Sequence, residues 1–357
     1  MHKKLFIPGP VEVTPEALHD MSVPMVGHRS KDYEKIHAHC VENVKKVLYT
    51  DKFILVGTCS STGLMEAAVR NLSRKKILSV VVGAFSDRWN KIALANGKSA
   101  DRLEYDWGKA AKAADIDARL AEGDYDLVTV VFNETSTGVM SPLKEIVEAV
   151  NKHDDVILAV DAVSGMAAAK VETDAWGIDY MLAGTQKAWS LPPGLAVAVV
   201  SERCFERAAE VENRGFYYDL LNFKKYAAGK RTNQTPSTPA ISLVHALGKQ
   251  AERFNRDLEA HWAKHVTMRD LVHDWAESRG FELFAEEGYE SLSLTCLTNT
   301  KGIDVAGLNA ELGKRGYHLS NGYGALKEKT FRIAHMGTMT PPEVRDLLLN
   351  IDDIMGW

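Results

Sequence analysis

The sequence predicts an α/β fold: a large domain built on a mainly parallel, helix-flanked sheet, followed by a smaller C-terminal α+β domain. Three observations carry this. Short, largely apolar runs recur at Phe53–Val56, Ile77–Val82, Asp126–Phe132, Val156–Val160, Tyr180–Ala183 and Leu195–Val200. Runs that do not alternate suit strands covered on both faces, the habit of parallel sheets. The segments between them carry helical spacing of apolar residues, which implies right-handed crossovers. Finally, 357 residues are more than a single hydrophobic core usually supports, so a second, smaller domain is expected.

Taken in order, Ile7-Pro8-Gly9-Pro10-Val11 is rigid and extended. Thr14-Pro15-Glu16 then reads as an N-cap with proline at the first helical position, opening a helix through about Met21. Between Ser30 and Leu48 the apolar positions Tyr33, Ile36, Cys40, Val44 and Val47 recur at spacings of three and four, an amphipathic helix. Gly27-His28-Arg29-Ser30 forms a polar knot before it. The alternating strands and helices come next, with Leu195–Val200 as a further strand. After Ser201 the pattern turns helical, and Pro239–Arg279 reads as one long helix with Lys249, Glu252, Arg253 and Arg256 on its polar face. That helix is taken as the connection between a large domain, 1–250, and a small one, 251–357. The small domain is expected to hold strands near Phe281–Phe284, Leu292–Leu297, Tyr317–Ser320 and Phe331–His335, with helices from Asp304 and Pro341.

The formal net charge is −5, with both signs interspersed. Such a surface argues against nucleic acid and against a polybasic membrane face. The four cysteines, Cys40, Cys59, Cys204 and Cys296, are far apart and show neither CxxC nor Cys/His metal-ligand spacing. They read as reduced thiols of a cytoplasmic protein, and no metal is expected. Met1–Leu5 carries basic residues, but no apolar stretch succeeds them before Pro8-Gly9-Pro10 breaks the pattern, so no signal peptide is expected. No apolar run reaches the ~18 residues of a membrane span.

The chemistry centres on Lys187, in Ala183-Gly184-Thr185-Gln186-Lys187-Ala188-Trp189, directly after an apolar run. A lysine at the end of a buried strand can lose part of its hydration and become a nucleophile toward carbonyls. Lysine is ordinarily solvated, however, and by itself this one proves nothing. Asp161 ends the run Val156–Val160, 26 residues earlier. A carboxylate there is costly unless it meets a cation or a strong donor, and a protonated pyridine nitrogen would serve. The loop Gly57-Thr58-Cys59-Ser60-Ser61-Thr62-Gly63 lies between a strand and a helix. It reads either as a phosphate cradle at a helix N-terminus or as a hydroxyl-rich capping turn. Phe85 ends another strand and reads as a stacking platform or as core. Asn133-Glu134-Thr135-Ser136-Thr137-Gly138 supplies polar groups at the same edge, or is an ordinary turn. Arg332, between apolar residues in Phe331-Arg332-Ile333, suits a carboxylate held bidentately, or an ion pair between lobes.

Taken together, Asp161-Ala162-Val163-Ser164, Gly184-Thr185-Gln186-Lys187-Ala188, Glu134-Thr135-Ser136-Thr137-Gly138 and Pro8-Gly9-Pro10 resemble the class V aminotransferases, fold type I enzymes dependent on pyridoxal phosphate. The nearest group is the alanine/serine:glyoxylate (or pyruvate) aminotransferases, and the resemblance runs from about Ile7 to the C-terminus. It implies that Lys187 forms the Schiff base with the cofactor, that Asp161 pairs with the pyridine nitrogen, and that Ser60, Ser61, Thr62 and Gln186 lie about the phosphate. Phe85 and Val163 would face the two sides of the ring, with Thr135 near the phenolic oxygen. Arg332 would anchor the substrate carboxylate, bordered by the backbone at Gly9. A homodimer with shared active sites is implied, in which Ser237 and Thr238 of Gln234–Pro239 reach the partner's cofactor phosphate. The segment 1–25 would partly join the small domain. His28 and Arg29 read either as a substrate-phosphate site or as a capping knot. The implied reaction is ping-pong transamination between a small amino acid and a 2-oxo acid such as glyoxylate or pyruvate. Alternatives are phosphoserine or aspartate transamination with 2-oxoglutarate, a cysteine desulfurase or lyase, and a cofactor-binding protein without turnover.

Overall fold

The computed structural model describes residues 2–229 and 232–357; Met1, Lys230 and Arg231 lie outside them. In chain order the strands are β1 (Lys4–Phe6), β2 (Phe53–Gly57), β3 (Lys76–Val81), β4 (Ser99–Glu104), β5 (Leu127–Val131), β6 (Asn133–Glu134), β7 (Val139–Met140), β8 (Ile157–Asp161), β9 (Tyr180–Gly184), β10 (Ala196–Val200), β11 (Glu282–Leu283), β12 (Leu294–Thr298), β13 (Tyr317–Asn321) and β14 (Thr330–Ala334). The helices are α1 (Pro15–Asp20), α2 (Lys31–Val47), α3 (Ser61–Leu72), α4 (Ala84–Ala95), α5 (Ala113–Glu122), α6 (Leu143–Val150), α7 (Thr173–Trp176), α8 (Glu202–Glu210), α9 (Leu220–Ala227), α10 (Ile241–Phe254), α11 (Leu258–Ser278), α12 (Val305–Lys314) and α13 (Pro341–Met355).

Seven strands form the central sheet in the order β2-β10-β9-β8-β5-β3-β4. The pairs from β9 to β4 are parallel, while β10 runs antiparallel to both β9 and β2. Six strands therefore share one direction. The carboxyl ends of β2, β3, β5, β8 and β9 all emerge on one edge, where open α/β sheets place their ligands. Strands β5, β8, β9 and β10 are buried at every residue, which is why their sequences read as unbroken apolar runs. The reversal of β10 follows from its connection: only residues 185–195 separate it from β9. That loop holds no crossover helix, so the chain returns antiparallel.

Two elements differ from the sequence reading. β4 escaped it because this edge strand is Ser-Ala-Asp-Arg-Leu-Glu, with little buried; charge on an edge also discourages pairing with other chains. The long helix expected over Pro239–Arg279 is two helices. Asn255 ends α10, and the side chain of Asp257 caps α11 by accepting from Ala260 N at 2.9 Å. Arg256 falls in the break rather than on a helical face.

A second sheet, β1-β13-β14-β12-β11, is packed under α11, α12 and α13 through Met268, Val272, Leu308, Phe331, Ile333 and Leu347. β1 lies parallel to β13, so the N-terminal segment completes a sheet otherwise made near the C-terminus. Among the described residues no helix is long and apolar enough to cross a membrane.

Candidate active site

The cleft at the carboxyl edge of the central sheet is lined by Ser60, Ser61, Thr62, Met65, Phe85, Arg88, Val131, Asn133, Thr135, Asp161, Val163, Gln186 and Lys187. Asp161 closes β8 and is 5 % exposed. Its side chain accepts one hydrogen bond, from Val163 N at 2.8 Å. Burial pushes its pKa up to about 7 against that bond, and the nearby Glu134 adds to the rise. Lys187 sits in the loop after β9, and burial brings its amine down to about 8 although Asp161 favours the charged form. The same two groups thus tune each other across the cleft floor.

Lys187 is held from several sides. Ser190 N donates to Lys187 O at 2.8 Å and Val11 N to Gln186 O at 3.1 Å. The amine donates to Pro8 O. Gly9, at φ +111°, lies so close that a Cβ there would stand 2.6 Å from Lys187 Cδ and 2.8 Å from Nζ. The positive φ favours glycine there, and a side chain would also displace the end of Lys187.

The cradle is formed where α3 begins. Ser60 is its N-cap but makes no side-chain cap bond. Ser61 Oγ and Gln186 Oε1 are buried without a partner among the described residues. Both fit only because Gly184 has no side chain: a Cβ there would lie 2.4 Å from the one and 2.6 Å from the other. The unmet Ser61 hydroxyl beside the free N–H groups of a twelve-residue helix suits an anion, whereas Gln186 Oε1 is an acceptor and calls for a donor. Together with an amine of lowered pKa and a buried carboxylate carrying one donor, this donor set fits the phosphate, aldehyde and pyridine nitrogen of pyridoxal phosphate.

Phe85 and Arg88 stand one turn apart on α4, with the guanidinium 4.9 Å from the ring centre and its Nη1 3.4 Å from Thr62 Oγ1. The start of α4 is capped by Glu134, which is fully buried and accepts from Phe85 N at 3.1 Å, Ser86 N at 2.9 Å and Ser136 N at 3.1 Å. Thr135 Oγ1 bonds Ser164 Oγ at 2.6 Å.

Arg332 lies on β14, 7 % exposed. Its Nε and Nη2 donate to Asn321 O at 3.2 and 3.1 Å, and Nη1 to Thr135 O at 3.1 Å. Of five N–H donors, two stay open, one on each terminal nitrogen. The link to Thr135 ties the second sheet to the cleft.

The structure does not bring every expected residue here. His28 is half-buried and Arg29 is turned elsewhere, its guanidinium donating to Thr235 O at 2.6 Å and Pro236 O at 3.0 Å. Ser237 and Thr238 are exposed and border a separate small cavity with Val56, Thr58 and Tyr217. A larger open cleft of about 690 Å³, lined by Trp176, Trp262 and Tyr289 among others, contains none of the converging charges.

Sequence reasoning gave no role to Arg88, Met65 or Val131, and placed Asn133 and Glu134 only within a polar loop at the sheet edge. Arg88 had a usable signal, since a residue three after Phe85 on a helix shares its face. Glu134 had another, a carboxylate just past a buried strand.

The family model described as aminotransferase class V matches residues 17–340. An uncharacterized aminotransferase of Methanocaldococcus jannaschii is 36% identical over 96% of this chain and 90% of its own length. The serine–glyoxylate aminotransferase of Methylorubrum extorquens is 30% identical over 94% of this chain and 86% of its own. The solved aspartate aminotransferase of Thermus thermophilus, of subgroup IV, superposes with a TM-score of 0.90 at 28% identity, covering 99% of both chains. This chain belongs to the class V aminotransferases, enzymes that work with pyridoxal phosphate.

Proposed function

We propose that the protein transfers the amino group of a small amino acid, alanine or serine or one like them, to a 2-oxo acid such as glyoxylate or pyruvate, in two half-reactions with ping-pong kinetics. One observation carries the reading: an amine of lowered pKa and a scarcely bonded carboxylate line one cleft, and an arginine with two spare donors, bonded to the carbonyl of the cleft residue Thr135, lies near enough to bring the amine down further. Pyridoxal phosphate, when bound, supplies the electron sink for the pair left on the donor's α-carbon. Lys187 would attach the cofactor and then, freed, move the proton from that carbon; an amine brought down to about 8 reaches its free-base form at mildly alkaline pH far more readily than an ordinary lysine. Asp161 would hold the pyridine nitrogen protonated. Ser60, Ser61, Thr62 and Gln186 would hold the phosphate, Phe85 and Val163 the ring faces, and Thr135 the phenolic oxygen. Arg332 would take the substrate carboxylate, with the Gly9 backbone bordering the same substrate.

The exposure of Ser237 and Thr238 supports a homodimer in which they reach the partner's site. Arg29 supports it too, since its bonds fix the backbone of that same segment; in this reading it is a brace, and with His28 it leaves the substrate-phosphate role as the lesser alternative. The chain divides into domains 1–250 and 251–357, with β1 joining the second sheet. Four thiols without disulfides fit a cytoplasmic location.

A second reading, an acidic donor such as aspartate, is favoured by Arg88, which puts another guanidinium into the cleft lining. Desulfurase chemistry is disfavoured: Cys296 lies inside β12, 2 % exposed, with its thiol pushed up by burial to about 11. The test is to mix holoenzyme singly with alanine, serine, aspartate, glutamate and phosphoserine and follow the bound cofactor's absorbance. Conversion by alanine or serine is expected, with return on adding glyoxylate or pyruvate. Conversion by aspartate alone selects the second reading, and none by any donor removes both.

A further inference from the structure

We infer that Tyr323 is a specificity-determining residue, the outer wall of the carboxylate site, which holds the plane of Arg332 and restricts the donor to a small side chain. This rests on the transamination reading above. The ring of Tyr323 lies 5.2 Å from that of Phe85 at 47°, and the guanidinium carbon of Arg332 lies 5.6 Å from the Tyr323 ring centre. With Arg88 beside Phe85, this makes a row of cation, ring, ring, cation from the cradle to the carboxylate anchor. Phe85 comes from α4 beside the central sheet, whereas Tyr323 and Arg332 belong to the second sheet and its turn. The row is thus assembled only by the packing of the two.

The wall is built to stay in place. Gly322 N donates to Thr330 O at 2.9 Å, Leu326 N to Tyr323 O at 3.0 Å and Lys327 N to Gly324 O at 3.1 Å. A Cβ on Gly322 would meet Leu326 O at 2.0 Å, so the turn closes only with glycine there. Asn321, two residues before the tyrosine, supplies the carbonyl that holds Arg332 Nε and Nη2, while its side-chain oxygen accepts from Glu328 N at 2.8 Å. One knot therefore sets both the arginine and the ring. Tyr323 is 36 % exposed, so the ring that packs on the cleft residue Phe85 also meets solvent. Its ring, set against both Phe85 and Arg332, is the part that meets the anchor, and Tyr323→Phe separates it from the hydroxyl. A ring against the guanidinium orients it by cation–π attraction and sheds water from one face. An amino acid whose carboxylate occupies the two open donors must then fit its side chain beside this aromatic surface, whose backbone the turn fixes.

The test compares wild-type holoenzyme with Tyr323→Ala, Tyr323→Phe and Tyr323→Leu. Steady-state kinetics are measured with alanine and with leucine as donors, and calorimetry with propionate, a carboxylate that has no amino group to transfer. Tyr323→Ala is expected to raise the KM for alanine about tenfold with kcat nearly kept, and to weaken propionate by a similar factor. It should also raise the leucine-to-alanine ratio of kcat/KM by about tenfold, as an opened pocket admits the longer chain. Tyr323→Phe should match wild type throughout. Tyr323→Leu, bulky but without an aromatic face, should keep the donor ratio and lose propionate affinity. Unchanged propionate binding and donor ratio in Tyr323→Ala overturn the inference, as does a Tyr323→Phe variant as impaired as Tyr323→Ala. Absence of turnover with every donor in wild type removes the transamination reading instead, and the propionate series still decides whether the ring serves the anchor.

Discussion

The two edges of the central sheet carry buried carboxylates with opposite company. At the amino edge Asp126, just before β5, is fully buried and accepts from Ser73 Oγ at 3.1 Å, Arg74 N at 2.6 Å and Lys75 N at 3.0 Å, with Arg207 Nη1 3.5 Å away. Asp179, just before β9, accepts from Ser201 Oγ at 2.9 Å and Arg203 Nη1 at 2.8 Å. At the carboxyl edge, among the described residues, Asp161 has its single bond from Val163, and Ser61 Oγ and Gln186 Oε1 have none. Burial is alike for these three aspartates; what differs is how far their hydrogen-bonding capacity is met. Asp126 and Asp179 are satisfied by the chain itself, whereas Asp161 keeps capacity for a ligand.

The largest expected effect tests the open edge. Lys187→Ala should lower turnover on the order of 10⁴-fold and abolish the absorbance of lysine-bound cofactor; a variant retaining both ends the assignment. The contrast itself is tested by a pair. Asp161→Asn should cost turnover on the order of 10³-fold while the cofactor-free protein unfolds at an unchanged or higher urea midpoint, because no partner is stranded. Asp126→Asn should lower stability by about 3 kcal/mol, by stranding buried donors and Arg207, and leave the turnover of folded molecules alone. If the two variants exchange phenotypes, the distinction between edges is wrong.

Arg332→Lys should raise the KM for both substrates roughly 10–100-fold with a smaller change in kcat, since an ammonium cannot replace two parallel guanidinium donors. Equal loss in kcat and KM in steady-state assays would place the arginine in the chemical step instead. The smallest effect is a slope. The carboxyl of Asp161 ionises near 3.8 when unfolded but holds its proton to about 7 when folded and free of cofactor. In that window the folded state binds more protons, so this group's contribution to stability is present at low pH and is lost as pH rises toward 7. Urea midpoints of cofactor-free wild type against Asp161→Asn should reveal a difference in slope of up to about 1.4 kcal/mol per pH unit, with wild type falling faster. Parallel slopes would mean that the carboxyl ionises in the folded protein as it does in the unfolded chain.

Much of this contrast was legible before any coordinates. Double-sided burial wrote β2, β3, β5, β8, β9 and β10 into the chain as apolar runs, and both Asp161 and Lys187 stood out as charges just beyond such runs. The edge strand β4 had no such signature because solvent tolerates its Asp, Arg and Glu. The break between α10 and α11 was hidden because apolar spacing continues across it, while the cap at Asp257 decides the boundary. In the site, residues carried by local motifs were readable, but the capping of α4 by Glu134 and the packing of Tyr323 against Phe85 were not.

The sequence by itself determined the class of fold, the edge at which ligands gather, and the lysine, carboxylate and arginine whose burial is costly enough to need a reason. Only the tertiary structure decided the direction of β10, the closing of the Gly9 backbone on Lys187, the turning of Arg29 away from the cleft and the alignment of Arg88, Phe85, Tyr323 and Arg332. The physical reason is range. Burial and helical or strand periodicity act over a few residues and leave a local pattern, whereas contacts between residues hundreds of positions apart depend on how two sheets pack, which no short stretch of chain records.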